Sequence, residues 1–256
     1  MTADRNISAV VDALGLPPGA RVDARVPKKL LVEQGAPTPA DKRAIQEGID
    51  ELQWFAACKA ATIGVPAFSD DTREYQEIAV VACAFRPAAK AKRLIELIHR
   101  AIPYPVVLIT TDENCVAVSA AHKRRAQNEA GRVIIDRVVV ATGLQPDTDD
   151  ATQAAFLKSL SLAQQPRSDL FALYAGWLAR IEAMNAARLT GAFVATGESV
   201  AIDQRREALD AHTRLAKEID ILRGKAKREK QLSRRVNLNM EIQRREADLA
   251  AYKKNL

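Results

Sequence analysis

The sequence lacks the marks of most specialised protein classes. It contains no run of about 18 apolar residues, so no membrane-spanning helix is expected. Its first residues carry Asp4, Arg5 and Asp12 where a signal peptide would need an unbroken apolar stretch. Together these absences lead us to expect a cytoplasmic protein with no membrane partner. Cysteine is scarce: Cys58, Cys83 and Cys115 stand far apart with no CxxC pair, which argues against a disulfide framework and against a zinc module. The three histidines, His99, His122 and His212, fall on separate stretches, and no HExxH occurs. GxxxxGKS/T, GxGxxG and GxSxG are all missing, which removes the minimal signals for nucleotide hydrolysis, dinucleotide binding and an α/β-hydrolase elbow. No cofactor, no metal and no catalytic residue is therefore assigned.

What remains is a chain of 256 residues, 48% hydrophobic and 27% charged, long enough for one large domain or for a core with a helical appendage. Its net charge of +6 is not spread evenly. From Asp203 to Leu256 there are 15 basic and 9 acidic residues, so the imbalance of the whole chain belongs to this tail. Within it, Arg223 to Arg245 holds nine basic residues against Glu229 and Glu241. Such an asymmetry is an argument about partners, chiefly nucleic acid or an anionic surface.

The pattern along the chain predicts an α/β (α+β) protein. A short helix over Ile7 to Leu16, a turn at Pro17-Pro18-Gly19 and one strand or extended arm over Val22 to Val32 are expected first. Thr38-Pro39-Ala40-Asp41 is a helix start, and Ile45, Ile49, Leu52 and Ala56 at steps of three and four predict a helix reaching toward Gly64. Glu77 to Phe85 reads as a buried strand, Ala88 to Ala101 as a helix and Val106 to Thr111 as a second strand, parallel to the first. Cys115 to Ala121 is expected to return antiparallel, and Arg132 to Ala141 to add a strand, giving a mixed sheet of about four or five strands with covering helices.

Pro146 to Asp150 reads as a linker, so residues 1–145 form an α/β core, 151–197 a helical pair and 199–256 a long basic helical tail. In the pair, helices are expected over Ala151 to Gln164 and Asp169 to about Leu189. In the tail, Leu215, Ile219, Leu222 and Ala226 form one heptad-like series and Ile242, Leu249, Tyr252 and Leu256 another, out of phase across Lys225 to Gln231. A coiled-coil-like helix or helical hairpin with a break at that point follows.

The basic tail carries the strongest physical signal. On a helix Arg223, Lys227, Lys230 and Arg234 line one face, flanked by Arg228 and Arg235, a stripe suited to phosphates; the blander alternative is a coiled-coil surface. Lys123, Arg124 and Arg125, after a strand, are a secondary phosphate-binding candidate. Trp54 and Trp177, with Tyr174, are read as helix-face core packing rather than stacking platforms. A restriction-type nuclease would need a strand acid followed by a lysine two positions on. Asp70, Asp71, Glu74 and Glu77 supply acids, but Ala79 stands at the lysine position, so a divergent metal-dependent nuclease is kept as the alternative.

Several strings in order carry a family resemblance: Val26-Pro27-Lys28-Lys29, Leu52-Gln53-Trp54 with Lys59, Ala101-Ile102-Pro103-Tyr104-Pro105, Asp169-Leu170-Phe171-Ala172-Leu173-Tyr174-Ala175-Gly176-Trp177, and Val236-Asn237-Leu238-Asn239-Met240-Glu241-Ile242. Over roughly residues 20 to 256 the chain resembles the bacterial family catalogued as domain of unknown function 4391. That resemblance implies encoding beside DNA helicases and methyltransferases in restriction or phage-defence gene clusters. It leads to the expectation of a non-catalytic accessory or DNA-binding subunit of a restriction-modification or anti-phage defence system. Its partners would be nucleic acid, helicase or methyltransferase subunits, and a further copy of itself through the C-terminal helix.

Overall fold

The computed structural model describes residues 2–112, 115–126, 133–146, 149–253 and 256. The chain divides into two compact units, Met1–Ile181 and Glu182–Leu256. The linker expected over Pro146 to Asp150 includes Asp147 and Thr148, which lie outside the described residues.

The first unit opens with α1 (Thr2–Ala13) and β1 (Arg21–Arg25), followed by α2 (Lys28–Gly35) and α3 (Pro39–Gly48). It continues through β2 (Ile49–Cys58), α4 (Ala60–Ile63), β3 (Phe68–Ser69), β4 (Glu74–Tyr75), β5 (Ile78–Phe85), α5 (Ala91–Ala101), β6 (Val106–Thr111) and β7 (Val116–Ala120). Then come β8 (Lys123–Arg125), β9 (Val133–Ile135), β10 (Val139–Leu144), α6 (Ala151–Ser159) and α7 (Leu170–Thr190), within which the division between units falls. The second unit adds α8 (Ser199–Arg228) and α9 (Leu232–Lys253).

The principal sheet has six strands in the order β1-β2-β5-β6-β7-β10. Only β5 and β6 run parallel, in the register Ala79↔Val106 to Ala84↔Thr111, with α5 as their crossover. β6, β7 and β10 continue antiparallel, as do β1, β2 and β5. One face of this sheet, Leu52, Ala79, Val81, Cys83, Phe85, Val106 and Leu108, is covered by Leu31 of α2, Ile45 of α3 and Leu94, Leu97, Ile98 and Ala101 of α5. The helices approach closely: a Cβ on Gly35 would lie 2.5 Å from the Ala101 Cβ, so only glycine fits there. Thr38 caps α3, accepting the Asp41 amide at 3.1 Å, and Asp41 is gripped by Arg93 of α5 at 2.8 and 3.0 Å. On α7, Tyr174 donates toward the carbonyls of Val106 (2.8 Å) and Ala121 (3.0 Å) and accepts the Ala121 amide (2.9 Å).

Three sequence expectations are corrected. The helix from Thr38 ends at Gly48, and Ile49–Cys58 is instead a long strand next to the sheet edge, so Trp54 lies on a strand and not on a helical face. Bulges between Ile49 and Glu51 and between Trp54 and Ala56 break the alternation of β2, which left a spacing that imitates a helix. The extended arm over Val22 to Val32 is strand only to Arg25; from Lys28 it is helical, with the Lys28 ammonium donating to the Ile49 carbonyl. The single strand expected over Arg132 to Ala141 is two, β9 pairing with β8 in a separate ribbon and β10 joining the principal sheet. Arg132 itself lies outside the described residues.

Candidate nucleic-acid interface

In the second unit α8 and α9 form an antiparallel hairpin. Ile219, Leu222 and Ala226 of α8 pack with Leu238, Ile242 and Leu249 of α9; the heptad-like spacing picked out all of these but Leu238, and Tyr252, which it also named, is exposed. The expected break is the turn Glu229 to Gln231, where Glu229 leaves helical geometry and its carboxylate accepts the Gln231 amide at 2.8 Å. Ion pairs stitch the seam: Arg223 to Glu246 at 2.7 Å and Arg245 to Glu218 at 3.5 Å.

The turn redistributes the expected stripe. Chain reversal prevents Arg223, Lys227, Lys230 and Arg234 from lying along one helix face, and Arg223 is taken up by Glu246. What results is a cluster at the end of the hairpin. Lys225, Lys227, Arg228, Lys230, Arg234 and Arg235 are all exposed, and among the described residues none has a carboxylate within 4.0 Å. Lys225 and Arg228 of α8 and Arg234 of α9 line a common shallow groove with Asn237.

Helix electrostatics separates two halves of this cluster. Lys225, Lys227 and Arg228 occupy the last turn of α8, where the negative end of the helix dipole favours cations, so they serve the helix by themselves. Arg234 and Arg235 stand at the opposite kind of end, near the start of α9, where the dipole is positive and the first turn carries no acid. Two arginines placed there oppose the helix, and an incoming anion relieves that cost.

The secondary basic candidate behaves differently. Lys123 is 3% exposed and donates to the Ile102 carbonyl, and burial pulls its pKa down to about 7, so its ammonium does not reach a phosphate in this arrangement. Arg124 pairs with Asp136 at 3.4 Å and Arg125 with Glu74 at 2.7 Å, both half exposed. These pairs hold the β8–β9 ribbon and dilute its positive potential.

The acids of the alternative reading are dispersed. The Asp70 carboxylate accepts the Thr72 and Arg73 amides, Glu74 faces Arg125, and Glu77 meets Lys59 at 2.8 Å. Among the described residues no group of three or more His, Cys, Asp or Glu side chains is placed to share a metal ion.

A second constellation was not legible in the sequence. Tyr75, His122, Phe171 and Tyr174 gather ring on ring with Phe68, and Tyr75 Oη lies 2.7 Å from His122 Nδ1. Arg73 sits 5.5 Å over the Phe171 ring. Three distant segments supply these residues, the β3–β4 hairpin, His122 and α7, so no local motif announces them. Their mutual packing and the buried Tyr174 bonds read as the joint between α7 and the sheet. Trp177 completes it, fully buried with its indole N–H on the Leu160 carbonyl at 2.7 Å.

A mixed six-stranded sheet with covering helices, followed by a helical C-terminal half, defines an α+β protein of this particular plan. The family model described as Domain of unknown function (DUF4391) matches residues 14–249, and the chain belongs to that family. No curated protein and no solved structure gives a significant match. No helix among the described residues is long and apolar enough to cross a membrane.

Proposed function

We propose that this protein is a non-catalytic, nucleic-acid-binding accessory subunit of a bacterial restriction-modification or anti-phage defence system. In this reading the hairpin end contacts duplex DNA through phosphates, and the sheet-bearing unit docks helicase or methyltransferase partners. One observation carries the binding half: six exposed cations with no carboxylate partner among the described residues gather at one turn, two of them where the helix dipole penalises positive charge. Phosphate oxygens remove that penalty, and exchange of condensed counterions supplies the driving force. Sequence preference is not expected, because phosphate contacts position a protein without reading bases.

The test is duplex binding of the full chain across a salt series. Each neutralised phosphate contributes about −0.9 to the slope of log affinity against log salt, so four to six contacts give a slope of roughly −4 to −5. Changing Lys227, Arg228, Lys230 and Arg234 to Gln flattens the slope and weakens binding equally for unrelated duplexes, with helicity kept as the control. Arg223→Gln, which removes a cation already held by Glu246, has a smaller effect. Absence of binding at low salt, or an unchanged slope in the fourfold variant, refutes the reading.

A further inference from the structure

α9 has two apolar faces and α8 covers one of them. Leu238, Ile242 and Leu249 belong to the seam. Leu232, Val236, Met240, Gln243, Ala247 and Ala250 follow one another at steps of four, four, three, four and three, which lines them on another side, roughly a third of a turn from the seam. All six are exposed, Leu232 at 65% and Met240 at 63%. Three large aliphatic side chains in a row on the outer side of a helix exceed the scattered exposure normal for a soluble surface.

We propose that this face binds the same face of a second copy of the chain, the two α9 helices running antiparallel about a two-fold axis near Glu241 and Ile242. The stripe is graded: Leu232, Val236 and Met240 fill its first half, and after Gln243 the second half narrows to Ala247 and Ala250. Antiparallel pairing that sets Met240 against the similarly long Gln243 beside the axis also sets Val236 against Ala247 and Leu232 against Ala250, so large meets small on either side of it. A parallel pair stacks large on large and leaves the alanines facing one another across a gap.

Charge agrees with the same register. The first half of α9 carries Arg234 and Arg235, and the second carries Glu246 and Asp248. Antiparallel alignment lays the basic half of one α9 along the acidic half of the other, with Arg235 and the second copy's Glu246 on the same flank of the contact. It also holds the two cationic turns roughly 30 Å apart at 1.5 Å per residue, beyond the screening length of about 8 Å at physiological salt. A parallel pair would press them together. Nucleic acid is not needed for this contact, so it stands or falls apart from the function proposed above.

Sedimentation equilibrium of the full chain without nucleic acid tests the association. Across micromolar concentrations the mass is expected to move from the 28.0 kDa chain toward twice that value. Val236→Glu and Met240→Glu, both at exposed positions, keep wild-type helicity and weaken association about tenfold or more. Disulfide trapping tests the register: Val236→Cys chains mixed with Ala247→Cys chains cross-link under oxidation, and Val236→Cys chains alone do not, with the wild type correcting for Cys115. A monomer at every concentration, or variants that associate as the wild type does, overturns the proposal. Efficient self-cross-linking of Val236→Cys overturns the antiparallel arrangement.

Discussion

Replacing Lys123 with Met should change the pH dependence of stability in a direction fixed by its burial. In the unfolded chain the lysine keeps its ordinary value of 10.5, while burial in the β8–β9 ribbon lowers it to about 7. A lysine depressed on folding means that between pH 7 and 10.5 the unfolded chain binds more protons than the native one, so stability rises with pH in that window. The native group loses its proton near pH 7, and moving from pH 7 to 8.5 gains on the order of 1 to 2 kcal/mol. His99, also fully buried, does not interfere, because burial and then the nearby Lys123 charge push it down to about 3. An upper limit comes from thiols. Burial raises Cys58 to about 12 and Cys83 further, so thiols ionise in the unfolded chain from about pH 9 and stability falls again. Urea unfolding followed by tryptophan fluorescence isolates the effect, since Trp54 and Trp177 both belong to the first unit. For a urea dependence of about 1 to 3 kcal/mol per molar, the midpoint should climb by about 0.5 to 1.5 M from pH 7 to 8.5. Lys123→Met abolishes that climb. A wild-type midpoint that stays flat or falls, or a Met variant that keeps the rise, refutes a desolvated lysine.

Two other substitutions probe the joints of the first unit. Tyr174→Phe keeps the buried ring but leaves the Val106 and Ala121 main-chain groups without their hydroxyl, and should cost about 2 to 3 kcal/mol in the same assay; a loss under about 0.5 kcal/mol would mean the bonds contribute nothing net. Asp41 is held down to about 2 by the Arg93 guanidinium and then by the Thr38 hydroxyl. Its stabilisation is complete above its ordinary value of 3.8 and fades as pH falls toward 2, so Asp41→Asn should be less stable at neutral pH and flatter in an acid titration between pH 4 and 2.

Legibility followed how far each signal depends on neighbours in sequence. The Thr38 cap and the break in the C-terminal helix rest on contacts within one or two turns, and β5, α5 and β6 each carried its own local pattern between proline stops, so all were readable. β2 was not. Gly48 closes α3 against Leu94, which a Cβ would approach to 2.8 Å, and the strand is then fixed by pairing with β5 some thirty residues on. Tertiary pairing overrode a spacing that looks helical. At the candidate interface the composition of the cluster was readable, because charge needs no contact to be counted. Which cations were already spent was not: the carboxylates of Glu246, Glu74 and Asp136 reach Arg223, Arg125 and Arg124 across 23, 51 and 12 positions. The aromatic joint around Tyr75 and His122 draws on three segments and leaves no trace in any one of them.

The reach of the Tyr174 hydroxyl has a kinetic consequence. Its two carbonyl partners lie 68 and 53 residues upstream, on and just beyond strands that are otherwise complete well before α7 is made. A chain leaving the ribosome can therefore pair β5 with β6 and β6 with β7 while the end of the sheet that α7 seals is still open, and closure waits for residue 174. The α8–α9 hairpin has no such wait, because every seam contact closes around a three-residue turn and such local contacts form early and fast. Closure of the sheet thus waits on α7, while the cationic hairpin, which follows it in the chain, requires only its own helices to assemble.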